Sequence, residues 1–330
     1  MRDRPLGLAE QEVVTACRDG WALDIVEAEY LPVGAGSYHW SITDRHGAAW
    51  FAKVDDVERD DGFGQLERAF ETTLALHRDA GLDFVLAPVP AADGAVLRRL
   101  SSRYALSMFP MLAGTTEGFG PHRREDLPEM IGMLAALHLA TPAVAHLAPR
   151  ADLLLPGRER LLAALGDLDR PWTAGPHAET ARRLLAAHTG RIHRWLADFD
   201  RLVDAVRDAT TPWVVTHGEP HPGNVLRTAA GLRFIDWGTV QLAPPERDLW
   251  MLTSAFTDMI GEGESADEEV LARYAEAGGR PVRPAGIALY RQWWALADVA
   301  VYVDDLRRPH GDGEDAAAAL TYLTGYLEAR

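Results

Sequence analysis

The sequence predicts an α+β fold in two parts, in which an antiparallel sheet with one helix precedes a mainly helical region. Residues 1–110 contain short strand-like runs separated by Gly, Pro and Asp turns, whereas apolar residues at helical spacing dominate after residue 110. A chain of 330 residues is longer than one hydrophobic core usually organises. We therefore expect two domains, one over residues 1–110 and the other over residues 111–330.

The first part is predicted to be strand-rich, with one long helix. The turn Asp44–Gly47 precedes the apolar run Ala49–Val54, which indicates a strand, a turn and a second strand. Apolar residues at helical spacing then predict a helix over Gly64–Ala80, with one face packed on the sheet. The run Ala105–Phe109 is typical of a further strand, which ends this part.

The second part is predicted to consist of helices around one strand-loop-strand segment. The helices lie near residues 124–140, 158–167, 178–206, 246–260, 266–277, 285–307 and 314–329, and a short buried strand covers Trp213–Thr216. Prolines and glycines make residues 217–223 a loop. Residues 225–227 and 232–235, joined by a Thr-Ala-Ala-Gly turn, predict a hairpin whose ends bring Asn224 and Asp236 together.

The chain is strongly acidic, with a net charge of −16 at pH 7. Nucleic acids and anionic membranes select basic surfaces, so this charge argues against both as partners and suits a cationic small molecule. The sequence has no run of about 18 apolar residues and begins without the apolar core of a signal peptide, so we expect a soluble, cytoplasmic protein. The single cysteine, Cys17, excludes an intrachain disulfide, and a monomer is the default expectation.

The segment from His217 to Gly238 carries the most specific signal in the chain. Within it, Glu219, Asn224 and Asp236 stand at the spacing that phosphoryl-transfer enzymes use around Mg²⁺. Mg²⁺ prefers oxygen ligands and takes only a few of them from the protein, the rest coming from water and phosphates. One amide oxygen and one carboxylate are therefore enough protein ligands for a Mg²⁺ site. The one departure is Glu219, since the pattern has Asp at this position.

The same loop allows a second interpretation, a metal site with His217, Glu219 and His221 as ligands. A helical zinc site needs a helix across these residues, which Pro220 and Pro222 forbid. A zinc deaminase site needs a pair of cysteines downstream, and the chain has one cysteine in all. We therefore expect His217 to be structural and His221 to be a loop side chain.

Lys53 is the only lysine among 33 basic residues. Lysine is a compact ammonium on a thin stem and fits between phosphate oxygens inside a closed site, where the broader arginine fork does not. Its place near the end of an apolar strand matches the phosphate-binding lysine of kinases. The loop before it, with Gly34, Gly36 and Ser37, offers backbone N–H groups that can cover a triphosphate. The alternative for Lys53 is an ordinary lysine on an edge strand.

Two further features fit the same nucleotide site. Glu67 and Glu71 lie one turn apart on the predicted helix, and kinases pair the phosphate-binding lysine with a helix glutamate. Glu71 fits better by its distance to Gly81, which ends the helix. At the junction of the two parts, Pro110 has a carbonyl and Leu112 an N–H that can bind adenine in a kinase-like hinge.

Together these motifs resemble the aminoglycoside phosphotransferase and choline kinase group, which are small-molecule kinases with a protein-kinase-like, two-lobed fold. The resemblance is carried by residues 34–40, Lys53, Glu71, Leu137 and His138, and by residues 217–224, 235–238 and 247–249. Within the group, the length and overall pattern are most similar to the spectinomycin phosphotransferases. The resemblance implies ATP or GTP and Mg²⁺ as cofactors.

The resemblance also implies a role for each matching residue. Glu219 would be the catalytic carboxylate, and Asn224 and Asp236 would be the Mg²⁺ ligands. Lys53 would bind phosphate while paired to the helix glutamate. Asp248 would be a buried anchor for the catalytic loop.

We expect the enzyme to be active although Glu219 replaces the usual Asp. In phosphoryl transfer the carboxylate mainly orients the acceptor hydroxyl and takes its proton late, so a strong base is not needed. The added methylene moves the carboxylate by about 1.5 Å, which a small retreat of the loop absorbs. The alternative is a nucleotide-binding pseudokinase without turnover.

The expected acceptor is an aminoglycoside or aminocyclitol, with spectinomycin as the best candidate and antibiotic resistance as the biological result. A metabolic kinase for choline, homoserine or a sugar would share every motif. Candidate acceptor contacts are Trp294 and Asp298, which with Tyr290 are spaced four apart on one predicted helix, and the acidic run Gly261–Glu269. The alternatives are helix core for the aromatic residues and a solvated face for the acidic run.

Overall fold

The computed structural model describes residues 1–58, 62–208, 210–261 and 267–328. The chain divides into two compact units, of which unit 1 comprises Met1–Ala151 and Thr211–Val282, and unit 2 comprises Asp152–Thr210 and Arg283–Arg330. The residues predicted for catalysis, nucleotide binding and metal binding all belong to unit 1, whereas Trp294 and Asp298 belong to unit 2. Of the acidic run Gly261–Glu269, residues 262–266 lie outside the described residues.

Helices and strands are numbered along the chain. The helices are α1 (Glu10–Trp21), α2 (Gly62–Arg78), α3 (Leu127–Leu139), α4 (Thr141–Val144), α5 (Arg158–Leu165), α6 (Ala178–Ala187), α7 (Thr189–Arg207), α8 (Glu246–Leu249), α9 (Ser254–Ile260), α10 (Asp267–Glu276), α11 (Pro284–Arg307) and α12 (Glu314–Glu328). The strands are β1 (Ile25–Leu31), β2 (Ser37–Asp44), β3 (Ala49–Asp56), β4 (Arg98–Arg99), β5 (Tyr104–Pro110), β6 (Val214–Thr216), β7 (Val225–Thr228), β8 (Gly231–Phe234) and β9 (Gln241–Ala243).

Unit 1 begins with a five-stranded antiparallel sheet in the order β1-β2-β3-β5-β4. In its central strand, Lys53 stands opposite His39 of β2 and Ser107 of β5. Because side chains alternate between the two faces along a strand, Lys53 shares its face with Asp55, two residues further on. The central strand of the sheet therefore presents a lysine and an aspartate side by side.

One helix packs on each face of this sheet. On one face, Cys17 of α1 is buried in a cluster with Val54 of β3. On the other face, Phe70 of α2 is buried in a second cluster, against which Phe51 of β3 packs. Since Lys53 alternates with Val54, it lies on the α2 face.

The rest of unit 1 consists of short elements around the predicted catalytic segment. Its strands form two antiparallel pairs, β6 with β9 and β7 with β8. The pair β7–β8 is the predicted hairpin, with Val225 opposite Phe234. Its ends therefore bring residues 224 and 235 next to each other, as the Ile235 N–H donating to the Asn224 carbonyl at 3.0 Å confirms.

The described part of unit 2 is helical and is built around α11, which packs against α5, α7 and α12. Buried apolar residues fill the space between these helices, among them Leu161 of α5, Phe199 of α7, Val303 of α11 and Leu323 of α12. Across the described ranges of both units, none of the helices is long and apolar enough to cross a membrane.

The predicted helices of the second part are confirmed with two differences, and the structure adds α4 and β9, which the sequence did not predict. The predicted helix over 178–206 is divided at His188, because the Thr189 hydroxyl donates to the carbonyls of Leu185 and Ala186 and so caps the end of α6. The predicted helix over 246–260 is broken at Thr253, whose backbone is extended.

The two compact units do not follow the predicted domain boundary. Unit 1 contains the N-terminal sheet together with residues 111–151 and 211–282, which the sequence assigned to the second domain. A boundary between lobes at residue 110 stays a prediction.

Candidate active site

The predicted catalytic loop begins directly after β6 and is held by a buried carboxylate. Asp248 of α8 accepts hydrogen bonds from the backbone N–H groups of His217, at 2.9 Å, and Gly218, at 2.6 Å. It also accepts from Nε2 of His138, at 3.0 Å. The Asp248 side chain is fully buried, so these donors replace its hydration. Asp248 thus has the buried, loop-anchoring position that the resemblance implies.

A chain of hydrogen bonds behind Asp248 fixes the tautomer of His138. Since Nε2 of His138 donates to Asp248, its Nδ1 accepts from the Tyr274 hydroxyl, at 2.6 Å. The Tyr274 oxygen in turn accepts from the Arg280 backbone N–H, at 3.3 Å. Burial alone would raise the pKa of Asp248, but the hydrogen bond from His138 and the nearby charge of Arg247 outweigh burial and lower the pKa. Asp248 is therefore held as a carboxylate.

Gly218 occupies a position in the loop that a larger residue cannot take. Its φ is +100°, which L-residues rarely adopt. A Cβ at this position would also lie 2.3 Å from Nη2 of Arg247. The Arg247 guanidinium is itself fixed, because Nη1 donates to the Thr216 hydroxyl at 2.9 Å. The glycine thus lets the arginine pack directly against the loop backbone.

His217 is a structural residue of the loop, as predicted. Its Nε2 donates to the Ile235 carbonyl at 2.9 Å, and its Nδ1 accepts from the Glu219 backbone N–H at 3.2 Å. Nδ1 of His221 likewise accepts from the Gly223 backbone N–H, at 3.1 Å. In the described ranges no three His, Cys, Asp or Glu side chains are grouped so that they could hold a metal ion. The alternative metal site of His217, Glu219 and His221 is therefore not formed.

The predicted metal ligands lie at the two ends of the hairpin: Asn224 directly precedes β7, and Asp236 comes two residues after the end of β8. The Asn224 amide nitrogen donates to the Glu219 carbonyl at 3.0 Å, which leaves Oδ1 as the side-chain atom that can bind a cation. Asp236 has a left-handed backbone, with φ of 61° and ψ of 65°. Such a conformation is costly for a residue other than Gly, and it is typical of functional sites that the surrounding fold holds in place.

Lys53 links the sheet to this segment. Its Nζ lies 2.8 Å from Oδ1 of Asp236 and 3.1 Å from Oδ1 of Asp55, and its side chain is only 8% exposed. Burial would lower the pKa of Lys53, but the two carboxylates outweigh burial and raise it. Burial would likewise raise the pKa of Asp236, and Lys53 instead lowers it to about 2. Both groups are therefore charged at neutral pH, although the Asp236 side chain keeps 40% of its surface exposed and is partly screened by water.

The glycine-containing loop before β2 lies against this charged group. Gly34 and Gly36 both have positive φ, at 70° and 82°. The adjacent Ser37 hydroxyl donates to Oδ1 of Asp55 at 2.6 Å, so the carboxylate beside Lys53 also holds the loop. His39 of β2 also holds the loop in place, since its Nδ1 donates to the Val33 carbonyl at 3.0 Å.

The phosphotransferase enzyme family model matches residues 27–289, which is most of the chain. The chain belongs to the phosphotransferase enzyme family. Protein StrN of Streptomyces griseus is 28% identical to it over 310 residues, which cover 91% of this chain and 86% of StrN.

Solved structures agree with this phosphotransferase in fold. A spectinomycin phosphotransferase in complex with ADP and spectinomycin matches with a TM-score of 0.72 at 18% identity, covering 96% of this chain and 94% of that one. A choline kinase from Streptococcus pneumoniae matches with a TM-score of 0.58 at 15% identity, covering 98% of this chain and all of that one (100%). The predicted α+β, kinase-like fold is thereby confirmed.

In this phosphotransferase the predicted ion pair between Lys53 and Glu71 is wrong. Among the described residues, the carboxylates within ion-pair distance of Lys53 are Asp55 and Asp236. Phe70 of α2 faces Lys53 instead, with its ring centroid 5.8 Å from Nζ. Successive residues on a helix point about 100° apart, so the burial of Phe70 leaves Glu71 exposed. Asp55, on the same strand as Lys53, takes the part predicted for Glu71.

Replacing Asp55 should therefore affect nucleotide binding more than replacing Glu71. We expect Asp55→Asn to raise the KM for the nucleotide roughly tenfold, because hydrogen bonds to charged groups contribute about 1.5–3 kcal/mol and this carboxylate holds both Lys53 and Ser37. Glu71→Gln, which also removes one charge, should leave the KM unchanged. Steady-state kinetics of the two variants tests this. A larger effect in Glu71→Gln would show that the helix glutamate is the partner in solution.

The buried His39 should make the stability of unit 1 depend on pH. Burial, together with the nearby Lys53 ammonium, lowers the pKa of His39 from 6.5 to about 4. Between about pH 6.5 and pH 4, His39 is protonated in the unfolded chain but neutral in the folded chain. Because the unfolded state binds the extra proton, the free energy of unfolding falls as the pH falls through this range. The slope for one histidine is at most about 1.4 kcal/mol per pH unit. Urea unfolding between these pH values should show a shallower slope for His39→Asn, and an unchanged slope would contradict the assignment.

Pro110 and Leu112, predicted to bind adenine, lie at the end of β5. Pro110 is the last residue of the strand and stands opposite Trp50. Directly after the strand, the Met111 N–H donates to the Ala49 carbonyl at 3.2 Å, at the end of the β3–β5 pairing. Leu112 follows and is 37% exposed. Adenine binding by these backbone groups stays a prediction.

Three residues of the site were missed by sequence reasoning, namely Asp55, His39 and Tyr274. Asp55 could have been found, because residues two apart on a strand share a face. His39 could have been found only once the register of β2 on β3 was known. Tyr274 lies 136 residues from its partner His138, and no local pattern indicates that contact.

Proposed function

We propose that this phosphotransferase transfers the γ-phosphoryl group of ATP or GTP to a hydroxyl group of an aminoglycoside or aminocyclitol, with spectinomycin as the best candidate, and so confers antibiotic resistance. The observation that carries the proposal is the contact between Lys53 and Asp236, which joins the central strand β3 to the anchored catalytic segment. A lysine, a carboxylate and an amide on these elements are the parts that phosphoryl transfer requires.

The residues present fit a bound Mg²⁺. Asn224 Oδ1 and the Asp236 carboxylate are hard oxygen donors, and water and phosphate oxygens usually complete the coordination of Mg²⁺. Two buried oxygens on the Lys53 face of the sheet, Asp55 Oδ2 and Ser107 Oγ, have no hydrogen-bond partner within the described residues. Buried orphan oxygens are rare in proteins and are typical of places that bind a ligand or ordered water. When bound, Mg²⁺ would neutralise charge on the phosphates.

Each side chain of the proposed site has a definable task. Lys53 carries a permanent positive charge on a side chain that is almost fully buried, where it can bind phosphate oxygens without losing much freedom. Lys53, Asp55 and Asp236 together carry one net negative charge. A metal ion bound beside the triphosphate would therefore be attracted to these carboxylates as well as to the phosphates. The backbone N–H groups of the loop at Gly34 and Gly36 can approach the phosphates closely because neither residue has a side chain.

Glu219 is proposed to orient the acceptor hydroxyl and to take its proton. Its main chain is fixed from both sides, since its N–H donates to His217 and its carbonyl accepts from Asn224. The backbone that carries the carboxylate is therefore held in one position by these two hydrogen bonds. A fixed position is what the close approach of reacting groups requires. Glu and Asp have similar pKa values in water, about 4.3 and 3.9, so the replacement of Asp keeps the ionised form at neutral pH.

The amine-bearing acceptor is supported by charge and by similarity. The chain carries a net charge of −16, which favours the approach of cations. The spectinomycin phosphotransferase and the choline kinase that share its fold act, by their names, on acceptors that carry amine or ammonium groups. The likeness to choline kinase also supports the second candidate, a metabolic kinase of a small amino alcohol.

A coupled assay of nucleoside diphosphate release across a panel of acceptors tests the proposal. We expect release that depends on spectinomycin or another aminocyclitol, with no release for Asp236→Asn under the same conditions. Turnover with choline alone would favour the metabolic kinase. Binding of the nucleotide without release for any acceptor would favour a pseudokinase, and silence with every antibiotic would contradict the preferred function.

A further inference from the structure

Arg247 of α8 is buried against the first residues of the catalytic loop, with its guanidinium on Gly218. A Cβ at Gly218 would lie 2.3 Å from Nη2 of Arg247 and 2.4 Å from both Cζ and Nη1. Because these three distances are nearly equal, the flat face of the guanidinium, rather than its edge, lies on the glycine. The protein-kinase pattern H-R-D has an arginine where this chain has Gly218. Arg247 therefore lies where that side chain would begin, although it comes from a different element.

Two residues that face each other across the β6–β9 pair hold the guanidinium. Nη1 of Arg247 donates to the Thr216 hydroxyl at 2.9 Å. The Gln241 amide oxygen, in the orientation that satisfies both groups, accepts from Nε at 3.2 Å and from Nη2 at 3.0 Å. Thr216 and Gln241 are directly paired in the sheet. All three nitrogens of the guanidinium thus have a partner on these strands, so the plane of the group is fixed.

Gly218 is held on two sides by consecutive residues of α8. Its N–H donates to the Asp248 carboxylate at 2.6 Å, and the Arg247 guanidinium packs on its Cα. A glycine has more backbone freedom than any other residue, and this one has a φ of +100°. The hydrogen bond to Asp248 holds only the N–H. Arg247 restricts the remaining rotation, which would otherwise move the next residue, Glu219.

Arg247 also supports the other contact on this side of Glu219. The Glu219 N–H donates to Nδ1 of His217 at 3.2 Å, while Nε2 of His217 donates to the Ile235 carbonyl. This pair of bonds requires a neutral imidazole. Burial lowers the pKa of His217, and the positive charge of Arg247 adds to this effect. The arginine therefore favours the form of His217 that can accept from Glu219.

We propose that Arg247 is a positioning residue for phosphoryl transfer, which fixes the main chain of Glu219 through Gly218 and His217. The inference rests on the proposed function in so far as Glu219 is taken to orient the acceptor hydroxyl. It goes beyond that function in making the position of Glu219 depend on a second residue of α8, next to Asp248. A displacement of about 1 Å can cost about 100-fold in rate, so a small shift of this backbone should be measurable.

Kinetics of Arg247→Lys in two backgrounds tests the positioning role. Lysine keeps the charge but lacks the flat face and the fork of donors. We expect kcat to fall about 10–100-fold, with the KM for the nucleotide unchanged, because the proposed phosphate-binding groups are on other elements. In the Glu219→Gln background the same change should lower kcat by less than about twofold, since the group that Arg247 positions is then absent. An equal loss in both backgrounds would show a general structural effect and overturn the inference.

Two further variants complete this comparison. Thr216→Val removes one acceptor of the guanidinium, nearly keeps the shape of the side chain and retains Arg247. It should lower kcat about threefold, the effect of one hydrogen bond, and only when Glu219 is present. The control is Arg273→Lys on α10, an exposed arginine paired with Glu269, which should leave kcat unchanged. A full-rate Thr216→Val enzyme together with a full-rate Arg247→Lys enzyme would contradict the inference.

Hydrogen exchange of the full chain separates this inference from the proposed function. The amide protons of Gly218 and Glu219 are both hydrogen-bonded. In Arg247→Lys they should exchange at least about fivefold faster than in the wild type, while the amides of β3 stay protected. Unchanged exchange at these two residues would overturn the inference, whatever the turnover. Faster exchange in a protein that phosphorylates no acceptor would leave the inference standing and contradict the proposed function.

Discussion

Glu219→Gln should lower kcat by about 10²–10⁴-fold, the usual contribution of a positioned general base. Gln has nearly the shape of Glu but cannot take a proton from the acceptor. Its main-chain bonds to His217 and Asn224 do not involve the side-chain carboxylate, so the loop should keep its structure. The affinity for the nucleotide should stay the same, because its proposed ligands are on other residues.

Glu219→Asp is the matched variant, because it keeps the charge and shortens the side chain by one methylene. We expect it to retain most of the activity, since Asp is the residue that the pattern has at this position. Single-turnover rates, with nucleotide affinity from fluorescence titration, separate chemistry from binding. A Glu219→Gln enzyme that turns over as fast as the wild type would remove Glu219 from the mechanism. A wild type that binds nucleotide but gives no turnover with any acceptor would indicate a pseudokinase.

The local part of the site was predictable because each element carries its own signal. The prolines and glycines of residues 217–223 determine a loop, and the hairpin after it places Asn224 beside Ile235, the residue before Asp236. The link from Lys53 to Asp236 spans 183 positions, and it was predictable only because the kinase pattern contains both residues.

Long-range packing determines the parts that the sequence did not reveal. Which face of α2 turns to Lys53 depends on the burial of Phe70 against β5, and this rotation moves Glu71 to the surface. The predicted acceptor contacts show the same limit. Trp294 and Asp298 share a helix face at a spacing of four, but Tyr326, which joins them, lies on α12, 28 residues from Asp298.

Asp248→Asn should cost at least about 1–3 kcal/mol in the free energy of unfolding, which is the range for a buried hydrogen-bonding group that is left without its partner. Three donors point at the carboxylate: the backbone N–H groups of His217 and Gly218, and His138 Nε2. Asn replaces one carboxylate oxygen with an NH₂ group, so at least one of these donors would then face another donor in a fully buried place. His138 would be affected next, because its tautomer is fixed by Asp248 and the Tyr274 hydroxyl.

The exposed Asp258→Asn on α9 is the control for the change in net charge. Urea unfolding should show a large loss of stability for Asp248→Asn and little change for Asp258→Asn. Hydrogen exchange adds a local measurement, because the amide protons of His217 and Gly218 should exchange faster once their acceptor is weakened. Since the same two residues begin the catalytic loop, kcat should fall together with their protection. If stability and exchange in Asp248→Asn matched the control, the buried carboxylate would not be what holds the loop, and the position of Glu219 would have to depend on Arg247 and on the His217 and Asn224 bonds.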